Sequence, residues 1–298
     1  MDEGAAAPGG DRRPVLDARE VPLSLVAVAA TGRGLVHPGD PVIRADDEAL
    51  LRGRAAFETL RVYAGKPFRI DEHLDRLEAS SRSIELPDVP RAELESLASL
   101  VLAERPGGDA VLRLVWTGGS DDGPPAGLAI LSEIPGWIED ARARGVRVVS
   151  LLGVRAVAPW LLPGVKSTSY AVNMAAEAEA KRRGADEAIF VDADGVVLEG
   201  TVTNVWWRTG RTLFTPSLEL GILAGVTRAA LIELAEGIGY VVEEGTYALD
   251  AVIAAEEAFT SSSVREILPW VELDGHAYER GPAADELQRA LRELAGTG

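Results

Sequence analysis

The sequence has no cysteine, and only three lysines and three histidines in 298 residues. Without thiols there are no disulfides, no cysteine nucleophile and no cysteine-ligated metal centre. His37, His73 and His276 are too far apart for the His-x-x-x-His spacing of a helical zinc site, so no metal is expected. Basic residues number 30 against 47 acidic ones, a net charge of −17. A nucleic-acid partner calls for a basic stripe to neutralise phosphates, and that charge balance argues against one. No apolar run is long enough to cross a membrane, and residues 1–13 lack the apolar stretch of a secretory signal. The expectation is a cytoplasmic protein with no membrane partner.

What remains is 47% hydrophobic and 26% charged, enough to bury a full core in one large domain or two. The scarcity of lysine is informative. Of the 30 basic residues, three are lysine and 27 arginine. Where a plain cation suffices, this chain uses arginine. A position that stays lysine is one where deprotonation and nucleophilic attack have a use. Lys66 lies in the turn Ala-Gly-Lys-Pro and Lys181 in the charged run Lys-Arg-Arg. Lys166 stands apart, in Leu-Pro-Gly-Val-Lys-Ser-Thr-Ser-Tyr, with no acid beside it.

Apolar periodicity predicts strands at 23–30 and 55–63, the second closed by a turn at 64–67. Helices are predicted over 69–83, with Leu74, Leu77 and Ile84 on one face, and over 91–104. Strands at 110–116 and 126–134 flank a loop of Gly, Ser, Asp and Pro, and Pro135-Gly136 reads as a domain junction. Beyond it come a strand at 146–152, a helix at 170–184, hairpins at 188–199 and 205–215, and a helix at 227–237. Strict βαβ alternation is missing, so the class is α+β. The expected division is a disordered terminus at 1–19, a small domain at 20–134, a linker at 135–140 and a large domain at 141–298.

Several segments carry groups suited to one chemistry. Glu199 ends an apolar strand, in Val-Leu-Glu-Gly-Thr-Val-Thr-Asn. Gly-Ile-Leu-Ala-Gly-Val-Thr-Arg at 221–228 enters a helix, a geometry that binds anions. Thr260 to Ser263 offers hydroxyls and amides, and Arg76 lies on a helix where Glu72 stands four residues before it. A pyridoxal-phosphate site needs this combination: a nucleophilic lysine, a carboxylate facing the pyridine nitrogen, an arginine with amides for the phosphate, and an apolar ring cover. Each segment alone reads equally as an ordinary surface charge, capped helix or turn.

Their order is more specific. Glu-His-x-x-Arg-Leu (72–77), Gly-Val-Lys-Ser (164–167), Glu-Gly-x-x-x-Asn (199–204), Gly-Ile-Leu-x-Gly-Val-Thr-Arg (221–228) and Glu-Ala-Phe-Thr-Ser-Ser-Ser (257–263) follow one another as in the fold-type IV, or class IV, aminotransferases. The resemblance covers residues 23–275. It implies a two-domain fold like that of D-amino-acid aminotransferase, with a small N-terminal α/β domain and a larger C-terminal pseudo-barrel. It also implies pyridoxal 5'-phosphate as cofactor and homodimers that complete each other's active sites. Lys166 would form the Schiff base and shuttle the proton at the substrate's Cα. Glu199 would keep the pyridine nitrogen protonated. Arg76, Val226, Thr227, Ser262 and Ser263 would hold the phosphate, and Leu223 would cover the ring. Thr203 and Asn204 would support Glu199, and Tyr170 would reach the phenolic oxygen.

Substrate contacts depart from the familiar members. Arg52-Gly53 stands where branched-chain enzymes have Tyr-Gly, and Phe57 where D-amino-acid enzymes have Tyr. Trp116-Thr117-Gly118-Gly119 carries no Arg-x-His carboxylate trap. Arg52, Arg54 and Arg113 are the substitutes on offer for a carboxylate, with Phe57 beside them. The stretch Val-Lys-Ser-Thr-Ser-Tyr-Ala-Val-Asn-Met is similar to that of some aminodeoxychorismate lyases, but Glu58 stands where one type of lyase has Thr. The expected activity is transfer of an amino group from a D-amino acid, and also an (R)-amine, to a 2-keto acid. The alternatives are 4-amino-4-deoxychorismate lyase and branched-chain L-amino acid aminotransferase.

Overall fold

The computed structural model describes residues 24–153 and 162–296. The expectation of disorder at 1–19 lies outside the described residues.

The first half forms a six-stranded sheet with the order β2-β1-β6-β5-β3-β4. Its strands are β1 (Leu25–Ala30), β2 (Gly34–Val36), β3 (Ala55–Tyr63), β4 (Lys66–Pro67), β5 (Ala110–Thr117) and β6 (Gly127–Ser132). Alternation along these strands sends two different sets of side chains to the two faces. Leu60, Val62, Leu112, Leu114 and Leu131 face helices α2 (Ile70–Ser83) and α3 (Arg91–Ala103), meeting Leu74, Leu77, Leu94, Leu97 and Val101. Each such side chain, fully buried, stabilises the fold by about 1.5–3 kcal/mol. The opposite face carries Phe57, Thr59, Arg113, Val115 and Ile130, and helices leave it uncovered. Thr59 pairs across with Arg113, and Arg113 with Ile130. A short helix, α1 (Glu48–Arg52), precedes β3, with Asp47 accepting from the amide of Ala49 as its cap.

A second, nine-stranded sheet follows, built from β7 (Val146–Leu152), β8 (Glu187–Val191), β9 (Val197–Gly200), β10 (Asn204–Thr209), β11 (Thr212–Pro216), β12 (Val241–Gly245), β13 (Glu257–Ser262), β14 (Glu266–Leu273) and β15 (His276–Ala277). The path is β12-β11-β10-β13-β14-β7-β8-β9, with β15 on β14. The β7–β8, β7–β14 and β11–β12 pairs are parallel. Parallel neighbours need a crossover: α5 (Ala171–Arg182) lies between β7 and β8 in sequence, and α6 (Val226–Gly237) between β11 and β12. The sheet curls, so that β9 at one end meets the chain just after β12 at the other: Val197 N donates to Tyr247 O at 2.9 Å.

Four helices lie outside the predicted elements, α1 among them. Helix α4 (Trp137–Arg144) occupies the expected linker, and α7 (Leu249–Ile253) is a single turn. Helix α8 (Ala283–Leu294) packs Leu287 and Leu291 against Ala230, Leu231 and Ala235 of α6. Among the described residues, no helix is long and apolar enough to cross a membrane.

Candidate active site

Between the uncovered face of the first sheet and the second sheet lies a cavity of about 1130 Å³, and Lys166 is in its wall. The segment carrying it runs along the start of β3. The amide of Phe57 donates to Lys166 O at 3.1 Å, and the amide of Thr168 to Ala55 O at 2.9 Å. Lys166 N donates to the hydroxyl of Ser80 on α2. Three anchors fix this backbone while the side chain stays in the cavity. Its Nζ sits 4.4 Å from the centroid of the Phe57 ring and 6.0 Å from that of Tyr170. Burial lowers the ammonium's pKa to about 8; Arg76 and Arg113 add to the depression, while Glu58 and Glu199 oppose it. A lysine so placed is a usable nucleophile near neutrality.

Glu199, at the end of β9, is buried. One of its oxygens accepts from the amide of Leu223 at 2.9 Å, and Leu223 O in turn accepts from Asn204 Nδ2 at 3.0 Å. Leu223 and Glu199 are thus held as one unit on the cavity wall. The hydroxyl of Thr203 goes elsewhere, donating at 2.5 Å to the buried carboxyl of Glu187. Two glycines make this packing fit. A Cβ at Gly225 would lie 2.1 Å from Asn204 Oδ1, and one at Gly200 would lie 2.1 Å from Thr203 Oγ1.

Gly225 is also the N-cap of α6, and it has no side chain to satisfy the first amides of that helix. Val226 and Thr227 open the helix beside the cavity, and Ser262 and Ser263 line it from the turn after β13. Arg76 closes the same region from α2. Its Nη1 donates to Ala224 O at 2.7 Å, while Nε and Nη2 each lie 2.7 Å from an oxygen of Glu58. Glu72, four residues before it, pairs instead with Arg69 at 3.9 Å. His73 Nδ1 shares Glu58 Oε2 at 2.7 Å. Burial is the largest influence on Glu58 and pushes its pKa up. The charge and hydrogen bonds of Arg76, helped by His73, outweigh it and hold the carboxyl at about 2. Glu58 and His73 are not among the candidates read from sequence; an acid inside the apolar run Ala-Ala-Phe-Glu-Thr-Leu was the available signal for Glu58.

The residues expected at the substrate separate. Arg113 lies in the cavity wall with its guanidinium 5.3 Å from the Phe57 centroid and Nε 3.3 Å from Thr59 Oγ1. It makes no ion pair with a carboxylate among the described residues, and burial lowers its pKa. Arg54 also borders the cavity, but its guanidinium is taken up by Glu48 and by the carbonyls of Ile84 and Glu85. Arg52 is exposed at the mouth. Tyr170 starts α5 and meets Phe57 edge to face at 5.5 Å.

The arrangement offers an amine of lowered pKa, a buried carboxylate hydrogen-bonded to the Leu223 amide, a helix start without a side-chain cap and a half-buried arginine with no carboxylate partner among the described residues, all around one space. These residues fit pyridoxal phosphate: the glycine-opened wall suits its ring and the uncapped helix its phosphate.

The chain matches the family model described as amino-transferase class IV over residues 55–273. It is 36% identical over 262 residues to the aminodeoxychorismate lyase of Bacillus subtilis, covering 84% of this chain and 88% of the relative. It is 33% identical over 267 residues to a bifunctional aminodeoxychorismate lyase / D-amino acid transaminase of Mycobacterium tuberculosis, covering 84% and 92%. Among solved structures, a hypothetical aminotransferase from Mycobacterium tuberculosis in its alpha-ketoglutarate and PMP bound form superposes with a TM-score of 0.84 at 32% identity, covering 90% of this chain and 98% of that one.

Proposed function

This chain belongs to the class IV aminotransferases and is a pyridoxal-phosphate enzyme, and from that premise we propose that it moves the amino group of a D-amino acid to a 2-keto acid. The observation that carries the substrate half of this reading is Arg113. A half-buried guanidinium without a carboxylate partner among the described residues, sharing the Phe57 ring with the Lys166 amine, suits a substrate bearing a carboxylate close to its amino group.

When bound, pyridoxal phosphate supplies the electron sink that loosens the bonds at the substrate's Cα. Lys166 would hold the cofactor, and its amine, whose pKa burial lowers to about 8, would take the proton from Cα. Glu199 would face the pyridine nitrogen, and Leu223, whose amide donates to Glu199, would cover one ring face. Arg76, the Val226 and Thr227 amides, Ser262 and Ser263 would take the phosphate. Asn204 holds Leu223, and Thr203 braces the same turn through Glu187. Tyr170 edges the space by Phe57, with its phenol pKa pushed up by burial and by Glu199. Arg52 is exposed at the mouth and Arg54 is paired with Glu48, which makes Arg113 the better placed of the three for a carboxylate.

The mouth is rimmed by exposed Leu162, Val172 and Met174, with Leu50 and Leu51 exposed on nearby α1. Apolar side chains around an active-site entrance support a second copy of the chain as cover.

A second reading, pyruvate elimination from aminodeoxychorismate, is favoured by the likeness to the Bacillus lyase and to the bifunctional mycobacterial protein. A donor panel of D- and L-alanine, D-glutamate, L-leucine, (R)-1-phenylethylamine and aminodeoxychorismate separates the readings. Keto acid formed from D-alanine in the presence of 2-oxoglutarate is the expected result. Turnover of aminodeoxychorismate alone, with no exchange from any D-amino acid, would overturn it.

A further inference from the structure

Behind the cavity, three arginines from three separate elements converge on one carboxylate. Glu266, the first residue of β14, has a side chain with 0% exposure. Its Oε1 accepts from Tyr63 OH at 2.8 Å and from Arg292 Nε at 3.3 Å. Its Oε2 accepts from Arg142 Nη2 at 2.8 Å and Arg292 Nη2 at 3.0 Å, with Arg61 Nη1 3.2 Å away. Arg61 comes from β3 in the first sheet, Arg142 from α4 and Arg292 from α8. Glu266 also has a backbone φ of +55°, an unfavourable value for a residue with a side chain, and one that persists only where surroundings enforce it.

Two of these arginines do more than neutralise Glu266. Arg61 Nη1 donates to Val264 O at 3.0 Å, and Arg142 Nη2 to Arg265 O at 2.8 Å. Residues 264–265 complete the turn that presents Ser262 and Ser263 to the cavity, and Arg265 N closes it on Ser262 Oγ at 3.3 Å. Arg61, Arg142 and Glu266 do not line the cavity, whereas Ser262, Ser263, Val264 and Arg265 do.

We propose that Glu266, with Arg61 and Arg142, is a positioning device for the cofactor's phosphate: it fixes the 262–265 turn against the first sheet. The inference rests on the reading in which Ser262 and Ser263 hold that phosphate. Buried ion clusters often only join elements and contribute little net stability. This one differs because its arginines hold the carbonyls of the presenting turn, so its loss displaces the phosphate ligands in particular.

The test compares pyridoxal phosphate with pyridoxal, which has the aldehyde but no phosphate. Both are titrated into the full-length protein freed of cofactor, with the visible absorption of the lysine adduct as readout, for wild type, Glu266→Gln and Arg61→Met. Arg61→Met leaves Arg142 and Arg292 on Glu266 and so serves if Glu266→Gln does not fold. The expected result is about ten-fold or greater loss of pyridoxal phosphate affinity with pyridoxal affinity unchanged. A variant that keeps the wild-type ratio of the two affinities, whether both fall or neither does, would overturn the proposal. If wild type itself does not prefer the phosphorylated form, the phosphate cradle is wrongly placed and the inference goes with it.

Discussion

Arg76 meets Glu58 in a fork, with Nε and Nη2 each 2.7 Å from a different carboxylate oxygen. The two are far apart in sequence, one on a helix and one inside a strand. Their pairing sets where the guanidinium can point, and the remaining nitrogen holds Ala224 O at the entry to α6. A planar, bidentate cation is thereby pinned at the end of the cavity beside the start of α6.

The fork predicts an acid-sensitive stability. Glu58 is held at about 2 against an ordinary 4.5. A depressed folded pKa stabilises fully above the unfolded value and is lost as pH falls from about 4.5 towards about 2. The shift corresponds to about 3 kcal/mol. Urea unfolding of Glu58→Gln should show a deficit of that order at neutral pH that shrinks steadily below about pH 4.5. A deficit independent of pH would show that the charge is not what matters.

Lys166 should react as an amine with a pKa of about 8. The rate at which cofactor-free protein captures pyridoxal phosphate is expected to rise with pH and level off above that value. Stopped-flow absorption across the range measures it, and an inflection near the ordinary lysine value would refute burial as the cause. Lys166→Ala should neither capture the cofactor covalently nor turn over, with its thermal unfolding little changed.

Glu199→Gln should slow loss of the substrate's Cα proton by about 10²-fold or more, because a neutral amide no longer favours a protonated pyridine nitrogen. Single-turnover rates with Cα-deuterated donor report that step. Unchanged rates would give Glu199 a purely structural place under Leu223.

Arg113→Met should raise the KM for D-alanine by about 10- to 100-fold, the worth of a hydrogen bond to a charged group. (R)-1-phenylethylamine has no carboxylate and serves as the internal control for whichever amines the enzyme accepts. A KM for D-alanine that does not move would remove Arg113 from the substrate site.

The candidate site was legible in the sequence to the extent that chemistry is local. Lys166 stood out as a lysine kept among arginines, without a neighbouring acid. Glu199, Leu223 and the glycines around them lie in short motifs whose order is itself a signature. Partners that arise from distant segments were not legible. Helical spacing suggested Glu72 for Arg76, and the fold supplied Glu58 because strand alternation turns that acid towards α2. Arg54 read as a free cation until its backbone acceptors at Ile84 and Glu85 were in place. Residues 283–294 have helical spacing at Leu287, Ala290 and Leu291, but that stripe gains meaning only against α6.

The sequence by itself determined the family, the cofactor and the strands and helices whose periodicity is strong, since these follow from residue type and order. Tertiary structure alone decided which cations remain available. Arg54, Arg76 and Arg113 are the same residue type, and nothing in their immediate neighbours says that the first is consumed by carbonyls, the second forked on a buried acid and the third left facing the cavity. That outcome depends on which face of β3 and β5 each strand residue takes and on what the second sheet brings opposite it.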